Sequence, residues 1–184
     1  MPPEPDDAAL LSALESVLLV AGGPIEVTQM ASAVGEPRSR VVVLLDRIAG
    51  RLPHGIRLQR SGEEVQLVTA PENIEYVHAF LGTVRPPALS RAALETLTVI
   101  AYRQPVTRPE IEAVRGVNSD RAVQTLLGRG LIEALRQRPV LGRPTEYGTT
   151  FGFLEYFGLG SLDDLPPLPE DGGNRQDAHD LGFR

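Results

Sequence analysis

The chain has 184 residues, no cysteine, no tryptophan and a formal net charge of −6. That length allows one or two small domains with real cores, and the missing cysteines exclude disulfides and thiolate metal sites. No apolar run approaches the roughly 20 residues that span a bilayer, and the acidic start MPPEPDDAALL lacks the basic region of a signal peptide, so a cytoplasmic protein is expected.

Residues 1–8 are rich in proline and acid and are expected to be disordered. Asp6 or Asp7 is placed to cap a helix whose apolar stripe is Leu10, Leu14, Val17 and Leu18, and Gly22-Gly23-Pro24 ends it. Thr28 to Val34 reads as a short second helix closed by Gly35. Pro37 suits the first turn of a third helix that runs to about Arg51, with Val41, Leu44, Leu45 and Ile48 apolar. Ile56 and Leu58, then Val65 and Leu67, alternate on either side of Ser61-Gly62 and read as a hairpin. Glu72 to Leu81 reads as a last helix before a stiff linker at Arg85-Pro86-Pro87.

A second run of the same kind follows. Ser90 is a good N-cap, Leu89 and Leu94 have the spacing of a hydrophobic staple, and Leu94, Leu97, Ile100 and Ala101 form the stripe of the next helix. Gln104-Pro105 stops it. Thr107 and Glu110 have capping-box spacing for a helix burying Ile111 and Val114, and Gly116 closes that helix. Asn118 or Ser119 caps a third helix burying Val123, Leu126 and Leu127. Leu131 to Arg136 and Thr145 to Thr149 suit two strands around a loop with two prolines. Helix, helix-turn-helix and two-stranded wing is the order of a winged-helix domain. At an offset of 81 residues Pro24 pairs with Pro105, Met30 with Ile111, Gly35 with Gly116 and Leu45 with Leu126, which points to a weak internal duplication.

The stretches LSRAALETLTVIAYRQPVTRPEIEAVRGVNSD and GRPTEYGTTFGFLEYFGLGSLDDLPPL closely resemble the bacterial segregation and condensation protein B family. The resemblance implies two tandem winged-helix domains, mainly α with small β wings. It also implies a non-enzymatic subunit of the SMC–kleisin condensin complex, without cofactor. That subunit binds the kleisin, segregation and condensation protein A, and through it the SMC ATPase at the nucleoid. A homodimer is implied as well. The expected organisation is a disordered start at 1–8, a dimerising winged helix at 9–84, a kleisin-binding winged helix at 85–158, and a disordered acidic tail at 159–184.

The residues themselves weigh the alternatives. The three histidines, His54, His78 and His179, have no second ligand at metal spacing, and no nucleophile elbow or phosphate loop occurs. All 18 basic residues are arginine. Net charge is −5 over 1–84, +3 over 85–158 and −4 over 159–184. The alternative to an adaptor is a sequence-specific DNA-binding regulator, whose base-reading positions would be Asp120, Arg121, Gln124 and Arg129, with Arg136, Arg138 and Arg143 on the wing. A DNA reader normally shows a stronger basic excess, so at most weak or indirect DNA contact is expected. Tyr147 and Phe151, with Arg143, are the candidate kleisin contacts, because five of nine aromatics crowd into 147–157. Val42 and Val43 are the candidate dimer contacts, since five consecutive apolar residues from Val41 to Leu45 point all round a helix.

Overall fold

The computed structural model describes residues 6–84 and 86–168. The first unit runs α1 (Asp7–Ala21), β1 (Ile25–Glu26), α2 (Val27–Val34), α3 (Arg38–Ala49), β2 (Ile56–Ser61), β3 (Glu64–Thr69), a 3-10 turn at Pro71–Asn73, and α4 (Ile74–Leu81). The second runs α5 (Arg91–Arg103), β4 (Val106–Thr107), α6 (Arg108–Arg115), α7 (Asp120–Gly128), β5 (Ile132–Gln137), β6 (Thr145–Thr149), α8 (Phe151–Phe157) and a 3-10 turn at Leu162–Asp164. Each unit carries a three-stranded antiparallel sheet, ordered β1-β3-β2 in the first and β4-β6-β5 in the second. Both are winged helices.

The duplication read at an offset of 81 is structural. Met30 and Ile111 are fully buried, as are Leu45 and Leu126. Gly35 and Gly116 close the equivalent helices at φ 71° and 70°. The strands β1 and β4, two residues each, were not read from the sequence, being too short for an alternating pattern to show. Each adds a third strand that ties the helix-turn-helix to its wing.

Two buried clusters form the cores. Leu10, Leu11, Leu14, Leu18, Met30 and Ile48 are central to the first, and Leu97, Ile100, Ile111, Leu126, Phe153 and Leu154 to the second. Three expectations change. Leu94 is 40% exposed and Val114 44% exposed, so neither belongs to the core. The buried stripe of α5 is Ala93, Thr96, Leu97, Ile100 and Ala101 instead. Thr96 is tolerated there because its hydroxyl donates to the Ala92 carbonyl at 2.8 Å. The third change concerns the ends. Asp7 and Ala8 lie inside α1, and Asp7 pairs with Arg40 and Arg47 of α3. Residues 159–168, expected in the disordered tail, lie against the second core through Leu159, Leu162 and Leu165. Three leucines at that spacing bury enough apolar surface to hold a proline-rich segment. The remainder of that expected tail, 169–184, lies outside the described residues, as do residues 1–5 of the expected disordered start.

The two units touch through the wing of the first. Gln59 and Gln66 are cross-strand neighbours on β2 and β3, and both are buried. The Gln66 amide donates to Gln59 Oε1 at 3.0 Å and to Glu155 Oε1 of α8 at 3.1 Å. Gln59 Nε2 donates to the Leu159 carbonyl at 2.8 Å. The Arg60 N–H donates to the Gly160 carbonyl at 2.8 Å, so residues 158–160 cover the open edge of β2.

Candidate protein-interaction surface

In a DNA-reading winged helix, the third helix and the wing present unpaired donors to the duplex. Here most are consumed within the fold. Arg108 pairs with Asp120 at the start of α7 at 2.6 Å. Arg115 pairs with Glu95 of α5 at 3.1 Å. Arg129 donates to the Pro87 carbonyl. On the wing, Arg136 and Arg138 both clamp the buried carboxylate of Glu146, at 2.7 and 2.8 Å. Arg138 also reaches Glu110 at 2.7 Å, tying the wing to the start of α6. The Thr107 N–H donates to the same Glu110 carboxylate at 2.8 Å, closing the capping box read from the sequence.

These contacts set the local electrostatics. The Arg138 hydrogen bond, then the Thr107 N–H, hold the Glu110 carboxyl down at about 2, against an ordinary 4.5. Hydrogen bonds from Arg136 and then Arg138 lower Glu146. The equivalent helix of the first unit is similarly spent: Arg38 pairs with Glu63, Arg47 with Asp7, and Asp46 with Arg60. Among the arginines proposed for base reading, Arg121 on α7 and Arg143 at the wing turn are exposed and have no ion pair among the described residues.

The residues singled out from the sequence are not brought together as one exposed site. Tyr147, on β6 opposite Val106 and Ala134, is half-buried against the second core, and so is Phe151 at the start of α8. Arg143 stands at the wing turn with φ 41°. Val42 is half-buried against the first core, while its neighbour Val43 is 58% exposed. Both were expected to lie partly outside that core; Val42 is the better covered of the two because α3 packs against both α1 and α2.

Sequence reading missed one exposed apolar feature among the described residues, α4 and the residues after it. The helix buries none of its side chains. Tyr76 is 77% exposed, Phe80 89%, Leu81 61% and Val84 89%. Its counterpart α8 buries Phe153 and Leu154. The signal was present in the string IEYVHAFL, whose six apolar residues spread over more of the helix surface than one small domain covers. Among the described residues no group of three or more His, Asp or Glu is placed to hold a metal, and no helix is long and apolar enough to cross a membrane; His179 lies outside those residues.

Fold and surface together define a class: a tandem winged helix whose polar helix faces are largely self-paired and whose exposed apolar side chains suit protein contact. A family model described as "Segregation and condensation complex subunit ScpB" matches residues 12–168. Segregation and condensation protein B of Moorella thermoacetica is 43% identical over 180 residues, covering 95% of this chain and 91% of that protein. The crystal structure of ScpB from Mycobacterium tuberculosis is 40% identical, covering 85% of this chain and 99% of that one, with a TM-score of 0.41. A crystal structure of a dimer of an ScpB N-terminal domain complexed with an ScpA peptide is 21% identical and covers 46% of this chain and all of that one, with a TM-score of 0.37. The chain belongs to the ScpB family of segregation and condensation complex subunits.

Proposed function

We propose that this protein is a non-enzymatic adaptor of an SMC–kleisin condensin complex. It binds the kleisin subunit and through it the SMC ATPase, and it acts in chromosome condensation and segregation at the nucleoid. The observation that carries the reading, beside family membership, is the self-pairing of the helix and wing arginines, which leaves little positive surface for DNA. The winged helix at 9–84 is the homodimerising unit, and that at 85–158 the main kleisin-binding unit. The second unit carries net +3, which attracts an acidic partner segment. Its wing exposes Leu135 and, at the turn, Arg143, which has no ion pair among the described residues, while Tyr147 and Phe151 are half-buried against the second core.

Size-exclusion chromatography of the full chain with its kleisin subunit tests the reading. Co-elution is expected, and Leu135→Glu with Arg143→Glu should weaken it at least about tenfold. Failure of the wild-type chain to co-elute would remove the adaptor function. Loss of binding only on substitution in the first unit would move the contact there, to the unit that another ScpB uses in its complex with an ScpA peptide.

A further inference from the structure

We infer that the outer edge of β5, in the wing of the second unit, takes up an extended acidic segment of the kleisin by strand addition. The inference rests on the adaptor reading above and says how that contact is made. In the second sheet β5 is an outer strand, bonded only to β6. The Thr150 N–H donates to the Leu131 carbonyl at 3.3 Å, so Leu131 with Thr150 and Glu133 with Gly148 are the bonded pairs of this ladder. Ile132 and Ala134, between and after them, turn their N–H and C=O groups away from β6. Beyond a bulge at Leu135, the Arg138 N–H donates to the Pro144 carbonyl at 3.0 Å, which turns the backbone groups of Gln137 outward in the same way. Among the described residues none of these outward groups has a hydrogen-bonded partner. The side chains from Glu133 to Gln137 are all exposed as well.

The first wing already uses its edge in this manner. There the corresponding strand, β2, turns the Arg60 N–H outward, and a carbonyl from outside the sheet, that of Gly160, accepts from it at 2.8 Å. The second wing repeats the strand order of the first, but among the described residues nothing bonds to its edge. Such an edge is a ready template for one more strand, with main-chain hydrogen bonds supplying affinity and alternate side chains supplying selectivity. The bulge divides it, leaving Ile132 and Ala134 as bonding positions before it and Gln137 after it. Charge selects the occupant. Glu133 is the one acid of β5, while the Arg136 side chain is 72% exposed even as it touches Glu146, and Arg143 is exposed at the turn. A second copy would set two units of net +3 against each other, whereas an acidic segment is attracted. Leu135, Val140 and Leu141 are exposed beside these arginines. A segment that alternates acidic and apolar side chains, at the period of two of a strand, satisfies both.

The test uses the full chain and its kleisin subunit, read by amide hydrogen exchange. The Ala134 and Gln137 amides should exchange freely in the chain alone and slow at least about tenfold in the complex, while the Arg60 amide, already bonded to Gly160, is protected in both. Ala134→Pro removes an outward N–H without breaking a bond of the sheet. It should keep the fold by circular dichroism and weaken kleisin binding by calorimetry at least about tenfold, whereas Ala134→Ser, which keeps the N–H, should bind as wild type does. Should Ala134→Pro fail to fold, exchange in the wild-type complex decides alone. Kleisin bound with Ala134 and Gln137 still exchanging as in the free chain overturns the inference and leaves the adaptor reading standing. A folded Ala134→Pro chain that binds like wild type does the same. A chain that binds no kleisin overturns both. Protection of these amides that grows with the concentration of the chain alone gives the edge to a second copy and overturns the inference.

Discussion

Single residues separate what is packed from what is merely apolar. Ile111 is fully buried in the second core, whereas Val114, one turn later on α6, is 44% exposed. Ile111→Ala should cost about 3 kcal/mol in urea unfolding, and Val114→Ala within about 0.5 kcal/mol. Similar losses at the two positions would contradict this core. Glu110 makes a pH prediction. Its folded carboxyl titrates at about 2 and its ordinary value is 4.5, so the folded state prefers the carboxylate. The stability it contributes is present above about pH 4.5 and is lost as the pH falls from there towards 2. Glu110→Gln should flatten that part of the acid-unfolding profile, and an unchanged acid limb would show that the Arg138 and Thr107 contacts are not made in solution. Capping boxes and breakers were legible at this scale because they depend on neighbours in sequence. The pairing of Arg138 with both Glu110 and Glu146 was not, because it needs the wing folded back on α6.

At the scale of elements, periodicity located the long helices and the hairpins but not which side of each helix is covered. On α5 the stripe beginning at Leu94 is nearly as apolar as the one beginning at Ala93. Packing selects the latter, because Ala93 lets α5 come close to its neighbours. For α4, the alternating and helical patterns say only that the segment is apolar, and the absence of a covering layer is a tertiary fact. The site was correspondingly less legible than the fold: aromatic crowding at 147–157 reflects core demand, since Phe157 rests 5.0 Å from both Phe153 and Tyr156. The third helices carry the DNA prediction. With Asp120 holding Arg108 and the wing arginines held by Glu146 and Glu110, duplex binding at about 150 mM salt should be weaker than micromolar and indifferent to sequence. Submicromolar anisotropy on one defined site would favour a regulator.

Across the whole molecule, the wing of the first unit and residues 155–160 join the two winged helices through buried amides rather than apolar bulk. A cleft of about 480 Å³ remains beside this joint, lined by Arg57, Thr69 and Ile74 on one side and Glu155 and Asp164 on the other. Gly158 sits at the joint with φ +68°, and a Cβ there would lie 3.0 Å from Pro71 of the first unit. Gly158→Ala should therefore cost about 1 kcal/mol or more in strain and loosen the joint. Hydrogen exchange at Arg60 N–H, which bonds the Gly160 carbonyl, should rise several-fold. Unchanged protection there would mean that the two units are not held by this contact.

The adaptor account is tested most directly by one sedimentation-velocity run. The full chain is mixed with its kleisin subunit and a labelled DNA duplex at about 150 mM salt. The chain should travel with the kleisin while the free duplex boundary stays unchanged. A chain that travels with the duplex and leaves the kleisin behind would contradict the account.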